Sequence, residues 1–370
     1  MYSMNDKVSI RQIKILTILD IFSAGILIMP RIMVERGQQD GWLLVIGGTF
    51  MALIYGFIIG RLIQRMGDEN FVTFTEKVLT KPISILINTF MLILLLGLAS
   101  LEVRIFGEVS KQLLLPKTPL EILIMSMLLI TAYTARKGYE CRGRLGEILI
   151  FFALIPIVLV LVFTLGTNAK IAHLAPFFQL SWKDFLTGSF RFSLSYLGVG
   201  LVLFCNHFVH SPKRLAKGIQ RSIMIVGVLS VFTIMATITV LGVNSTKMNI
   251  WPVLSLMQGV NVSGSFIERQ EALMVVFWII SVFSLLSGYI YFSSLILTTM
   301  IGSREQSYLV FPLLPFIYIG SLLAGNIIQL YEVYKWSYTY LSGVFLIVIP
   351  VVVLFIAKVR KVGVALDKKK

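Results

Sequence analysis

From Gln12 onward the chain alternates long apolar runs with short polar connections. A bilayer core takes about 20 predominantly apolar residues per helix. Ten runs meet that length approximately: Gln12–Pro30, Trp42–Gly60, Ile83–Leu101, Leu120–Ala135, Leu145–Leu165, Gly188–Phe208, Ser222–Val243, Ala272–Leu297, Leu309–Gln329 and Trp336–Ala357. The second, third and last four hold no Asp, Glu, Lys, Arg or His. The pattern predicts an all-α integral membrane protein with ten transmembrane helices. It forms one domain over residues 1–357, followed by a basic tail at 358–370. Between spans 2 and 3, Gly67–Lys81 is amphipathic and predicts a short helix along the membrane surface. The connection around Gly166–Thr187, with Pro176 and Trp182, is expected to fold over the mouth of the bundle. The first nine residues show none of the pattern of a cleaved signal peptide.

Two spans are interrupted near their middles. Span 1 contains DIFSAGILIMP (Asp20–Pro30), with Gly25 and Pro30, and span 6 reads RFSLSYLGVGLVLFC, with Gly198 and Gly200. A glycine costs about 1 kcal/mol in a helix interior. Close packing through small residues is one reading of such glycines. The positions favour another, because spans 1 and 6 each open one half of a five-plus-five arrangement. Interruptions at matching places in two halves point to a midplane binding site in inverted-repeat transporters. Pro156 and Pro350 also interrupt spans but lack the glycine, so they read as kinks. An unwound segment offers amide N–H groups to a carboxylate and carbonyls to an ammonium group. A small zwitterion fits such a site without a charged side chain. Unwinding is therefore expected around Ser23–Ile26 and Leu197–Gly200, with Ser23, Ala24, Gly25, Ile26, Leu101, Leu197, Gly198 and Gly200 about the ligand. The apolar members suggest a small apolar amino acid.

Composition agrees, with 57% hydrophobic and 14% charged residues and a mean hydropathy of +0.87. The net charge of +15 does not mean nucleic acid, since no basic stretch accompanies a soluble recognition fold. With the N-terminus inside, 22 of the 33 basic residues fall on inner segments. The positive-inside rule then puts both termini in the cytoplasm. Cys141 and Cys205 suit neither a disulfide nor a metal site, so no cofactor is expected. No phosphate loop, nucleophile elbow or zinc-protease motif occurs, which argues against an enzyme.

Among charged residues, Asp20 lies inside span 1, where a carboxylate is costly and functional by default. It is a ligand or ion contact, a neutral hydrogen-bonded acid, or the partner of a Lys or Arg near the inner end. Glu102, Arg104 and Glu108 follow span 3 with no helix breaker before Pro116, so that helix is expected to continue. Arg104 and Glu108 are i,i+4 neighbours able to pair, either as a structural ion pair lining the outer vestibule or in direct contact with ligand, with an ion or gating role open to them. Glu268, Arg269 and Glu271 sit at the outer end of span 8. His173, His207 and His210 are scattered near span ends and form no ligand set.

SAGILIMP (Ser23–Pro30) resembles the broken first helix of the amino acid–polyamine–organocation transporter superfamily. RIFGEVSKQLLLPKTPL (Arg104–Leu120), YTARKGYECRGRLGEI (Tyr133–Ile148) and FIERQEALMVVFWI (Phe266–Ile279) resemble its spore-germination permease branch, the B subunits of germinant receptors. The resemblance covers essentially the whole chain. It implies a LeuT-type 5+5 inverted repeat with broken first and sixth helices, and a small amino acid or similar germinant as ligand. It further implies residence in the spore inner membrane beside A and C subunits. In that fold span 8 faces the broken helix, so Ser284, Ser287 and Tyr291, spaced i, i+3, i+7, become ligand candidates or packing groups. Two departures count against proton coupling. The Glu of a GFE motif in helix 6 is replaced in Gly198-Val199-Gly200, and span 5 has no Lys. Sensing and transport both remain compatible with the residues.

Overall fold

The computed structural model describes residues 7–167, 169–209, 212–258 and 270–363. Those residues are helical and irregular, and the apolar runs of the sequence fall on the helices. Span 1 is divided into α1 (Ile10–Ile21) and α2 (Ala24–Gly37); α3 is Gly41–Met66, α4 Phe71–Val78 and α5 Lys81–Leu113. α6 (Leu120–Arg136) and α7 (Tyr139–Thr167) complete the first half. Then come α8 (Trp182–Ser193), a 3-10 run at Leu194–Phe204, α9 (Pro212–Met248) and the short α10 (Pro252–Gln258). The chain closes with α11 (Gln270–Ile301), α12 (Val310–Leu322), α13 (Ile327–Gly343), a π-helical turn Val344–Val348 and α14 (Ile349–Val359). Six stretches among the described residues are long and apolar enough to cross a membrane: Gly25–Met66, Lys81–Leu113, Trp182–Phe204, Lys213–Met248, Trp278–Ile301 and Ile327–Val359.

Local chemistry explains the ends. Ser9 accepts from the Gln12 amide while the Gln12 side chain accepts from the Ser9 amide, a reciprocal cap that starts α1. Pro82 lies in the first turn of α5, where a missing N–H costs nothing. α5 runs unbroken through Glu102, Arg104 and Glu108. α4 is the short amphipathic helix: Phe71, Val72, Phe74 and Val78 are buried beneath it and Glu76 and Lys77 face outward.

The outer surface is apolar, with Phe50, Leu86, Ile93, Phe316 and Phe355 all more than half exposed. A surface patch of this kind marks contact with lipid. Several hydroxyls within the bundle find local acceptors. Thr17, Thr49, Thr131 and Thr237 donate to the carbonyls of Ile13, Val45, Met127 and Thr233 at 2.7–2.8 Å, as hydrocarbon surroundings require. α1 stands at the centre, against α7, α9, α11 and the 3-10 run, while α3 packs on α8 and α9 and α5 on α11. The face carrying the start of α1 is closed by Arg65, which donates to the carbonyls of Ala357 and Val362 at 2.9 and 2.8 Å. On the opposite face the buried Asp40 carboxylate accepts from the amides of Phe178 and Gln179 at 2.9 and 2.6 Å. Those bonds hold the connection before α8 down on the bundle.

Candidate ligand site at the broken first helix

The first helix stops at Ile21 because Ser23 adopts φ −73° and ψ −138°, outside the helical region, before α2 restarts at Ala24. Serine before a helix ordinarily accepts from an amide of the first turn. Ser23 makes no such cap. Its hydroxyl instead donates to the carboxylate of Glu102 on α5, and both residues are buried. The amides opening α2 thus lack a side-chain cap, and the positive end of that helix lies beside a carboxylate the protein itself supplies. The counterpart in span 6 is milder. The helix passes from α8 into a tighter 3-10 winding, with Tyr196 at φ −78° and ψ 30°.

Before the break, Asp20 is buried at 4% exposure and meets Arg142 from the first turn of α7. Arg142 Nη2 donates to both carboxylate oxygens at 2.5 and 2.7 Å. It also donates to the Ser284 carbonyl at 2.9 Å, and Nε to the Ser287 hydroxyl at 3.2 Å. Ser284 Oγ completes the group with a 3.0 Å bond to Asp20. Two glycines make room for it. A Cβ on Gly198 would stand 2.8 Å from the Asp20 carbonyl carbon, and one on Gly288 2.7 Å from Arg142 Nη2. The knot ties α1, α7 and α11 together. Of Asp20's three readings the structure realises the ion pair. An arginine cannot release its proton in a protein, so this cation carries fixed charge and relays none.

After the break lies open space. A cavity of about 40 Å³ is lined by Gly25, Met29, Ile32 and Met33 of α2, by Arg191 and Ser195, and by Tyr334, Lys335, Tyr338 and Thr339 of α13. A smaller one of about 20 Å³ touches Gly25, Ile26, Phe192, Tyr196 and Ser230. Gly25 belongs to both. A Cβ there would meet only the Tyr334 hydroxyl, 3.8 Å away.

The expected site residues divide. Ser23, Gly25 and Ile26 stand at the break or the adjoining cavities, and Ala24 opens α2. Gly198, Ser284 and Ser287 surround the Asp20–Arg142 pair rather than the cavities. Gly200 lies against the ring of Phe345, in the π-helical turn. Leu197 is fully buried. Tyr291 sits among the rings of Tyr139, Phe208 and Phe292 at 5.4–6.0 Å between centroids. Leu101 and Arg104 line a separate apolar cavity of about 460 Å³ between α5, α12 and α13. Arg104 pairs with Glu108 at 2.9 Å and donates to the Ser321 carbonyl at 3.1 Å. Glu268, Arg269, His210, the Glu271 side chain and the end of the basic tail lie outside the described residues.

Sequence reading missed four residues. Arg142 falls among the basic residues of the inner segments, but the helix of span 5 starts at Tyr139, ahead of the expected Leu145, and carries it inward. Glu102 was grouped with the Arg104–Glu108 pair although it lies on another side of α5. Tyr334 and Tyr338 were passed over in a run rich in tyrosine, where Tyr331, Tyr334 and Tyr338 follow i, i+3, i+7.

Residues 7–327 match the family described as "Spore germination protein". Spore germination protein YndE of Bacillus subtilis (strain 168) is 28% identical over 367 residues, covering 98% of this chain and 99% of the relative. Spore germination protein GerLB of Bacillus cereus is 24% identical, covering 96% of each. Among solved structures, MhsT in complex with L-phenylalanine superposes with a TM-score of 0.66 at 12% identity, over 94% of this chain and 99% of that one. Mhp1, a nucleobase-cation-symport-1 family transporter in a closed conformation with bromovinylhydantoin bound, gives 0.67 at 14% identity, over 92% and 78%. The chain shares with both the LeuT-type transporter fold.

Proposed function

The chain belongs to the spore germination protein family, and from that premise we propose that it is the B-type subunit of a germinant receptor. It binds a small amino acid at the interrupted first helix and passes the binding event to A and C subunits in the spore inner membrane, with both termini cytoplasmic. The observation that carries the reading is the break at Phe22–Ser23 with a cavity beside Gly25 immediately after it. A helix interrupted inside a bilayer is tolerated where its freed groups face protein or a cavity, and this one faces both. The fixed Asp20–Arg142 pair favours sensing over proton-coupled pumping, because neither partner can trade its charge without unmaking the knot.

A second reading is an amino-acid permease, and the resemblance of the fold to transporters favours it. Neither reading makes the chain an enzyme. Deletion of the gene in its spore-forming host separates the two. A receptor subunit abolishes the response to one amino acid germinant and leaves other germination routes working. Saturable uptake of labelled amino acid by vesicles holding this chain alone, at a transporter's rate, would make it a permease.

A further inference from the structure

Between α5 and α13 two helix faces line a groove of about 460 Å³ that no side chain of the protein fills. Its lining runs on α5 from Phe90 to Arg104 and on α13 from Gln329 to Leu341, about 20 Å at 1.5 Å per residue. Gly97 stands midway along the α5 wall, and a Cβ there would meet nothing within 4 Å. The groove opens sideways onto the apolar outer surface, where Ile93 and Leu323 of its lining are 64% and 76% exposed. Four polar side chains in the lining bond to the protein itself. Ser100 donates to the Leu96 carbonyl at 2.9 Å and Ser321 to the Tyr318 carbonyl at 2.6 Å. Arg104 is taken by Glu108 and the Ser321 carbonyl, and Gln329 accepts from the Gly325 amide at 2.9 Å.

We propose that this groove holds one acyl chain of a membrane phospholipid, with the headgroup at the α12–α13 connection beside Gln329 and the chain running between α5 and α13 toward Phe90 and Leu341. Three properties select that occupant. The lining is apolar and its bonded polar groups offer little to a polar ligand, which would lose its hydration without compensation. A volume of about 460 Å³ spread over about 20 Å averages about 5 Å across, which suits a single hydrocarbon chain; a helix with its side chains is about 10–12 Å across and would cover the groove rather than enter it. The length is also that of one lipid chain, in a hydrocarbon core about 30 Å thick to which each leaflet contributes half. Dispersion contacts along both walls then come from what the bilayer supplies. The inference does not rest on the amino-acid reading of the first-helix site. It bears on it, because α13 lines both this groove and the cavity beside Gly25, so the lipid chain and the ligand share a wall.

The test uses the full-length chain in phospholipid nanodiscs doped with phosphatidylglycerol that carries a photoactivatable diazirine in its acyl chain. After irradiation the labelled positions are mapped by mass spectrometry. In the parent, labelling around Gly97 and Val333 is expected to exceed that around Phe50 of α3 and Leu129 of α6, which are exposed on the same apolar surface, by about tenfold. Gly97→Phe sends a ring into the groove from a position with open space around it. It is expected to cut labelling around Val333 about tenfold and to leave Phe50, Leu129 and the melting temperature as in the parent. If Gly97→Phe does not fold, the pattern on the parent decides. Even labelling of all four segments overturns the inference, since lipid would then only bathe the surface. Labelling around Val333 that a folded Gly97→Phe leaves at the parental level overturns it too. The last arm reconstitutes the chain together with its A and C subunits. Groove labelling that persists there supports the inference; groove labelling that disappears while Leu129 keeps its own assigns the groove to a helix of a partner and overturns it.

Discussion

Two buried carboxylates flank the break in the first helix, and their surroundings differ. Asp20, before the break, is held by one arginine nitrogen that reaches both its oxygens and by a serine hydroxyl, with Gly198 and Gly288 pressed against the group. Glu102 is met through Ser23 at the break itself, and past the break a cavity opens beside the buried, unbonded Tyr334 hydroxyl. The first arrangement approaches satisfaction, with Arg142 Nη1 its one nitrogen lacking a partner. It therefore resists change. The second keeps unmet hydrogen-bonding capacity next to space, which is the condition for recognising something from outside. One helix interruption thus has a tightly held side and an open side.

The contrast breaks most visibly at Arg142. Arg142→Leu leaves Asp20 buried and unpaired, which costs about 3–5 kcal/mol and should remove most folded protein, read as monodisperse yield from detergent. Adding Asp20→Asn should restore much of that yield, because the stranded charge is gone. A single variant as stable as the parent would show that the pair is not what holds α1, α7 and α11 together.

Gly198→Ala comes next. Its Cβ would sit 2.8–2.9 Å from the Asp20 backbone, so a loss of about 1–3 kcal/mol is expected from overpacking, visible as a lower melting temperature. Gly200→Ala should act similarly through the Phe345 ring. Unchanged melting of both would mean the bundle yields more easily than its packing implies.

Gly25→Ala tests the open side. With only the Tyr334 hydroxyl nearby at 3.8 Å, the fold should change by less than about 0.5 kcal/mol. The half-maximal germinant concentration should rise, because the methyl group occupies ligand space. A dose–response series in spores, with receptor level measured alongside, checks this. Parental values for both would remove Gly25 from the site.

The smallest effect is expected far from the break. Lys77 and Glu69 pair at 2.6 Å, with Lys77 exposed and Glu69 half-buried, and pairs at the surface contribute about 0–1 kcal/mol. Lys77→Gln should leave melting and germinant response where they were. A large change would assign α4 a role that its geometry does not suggest.

Much of this was legible in advance. The interruption of span 1, the short amphipathic helix at α4, the continuation of α5 past Glu102 and the Arg104–Glu108 pair all follow from neighbours in sequence, and the structure places them accordingly. Gly198 and Gly200 were legible only as glycines. Their spacing did not reveal that one faces Asp20 and the other Phe345. The spacing of Ser284 and Ser287 puts them on one face of α11, but that the face meets Arg142 depends on the packing of α7.

The sequence by itself determined that the chain lives in a bilayer and where its first helix breaks. Those properties depend on local polarity and on the rule that backbone groups in hydrocarbon must be satisfied within a segment or beside a cavity. Only the tertiary structure decided that one carboxylate would be locked by an arginine and the other joined to the break through a serine. Asp20 and Arg142 are 122 residues apart, Ser23 and Glu102 79 apart. Whether such groups meet is set by the rotation and depth of each helix against its neighbours, which the packing of the whole bundle fixes and no single helix encodes.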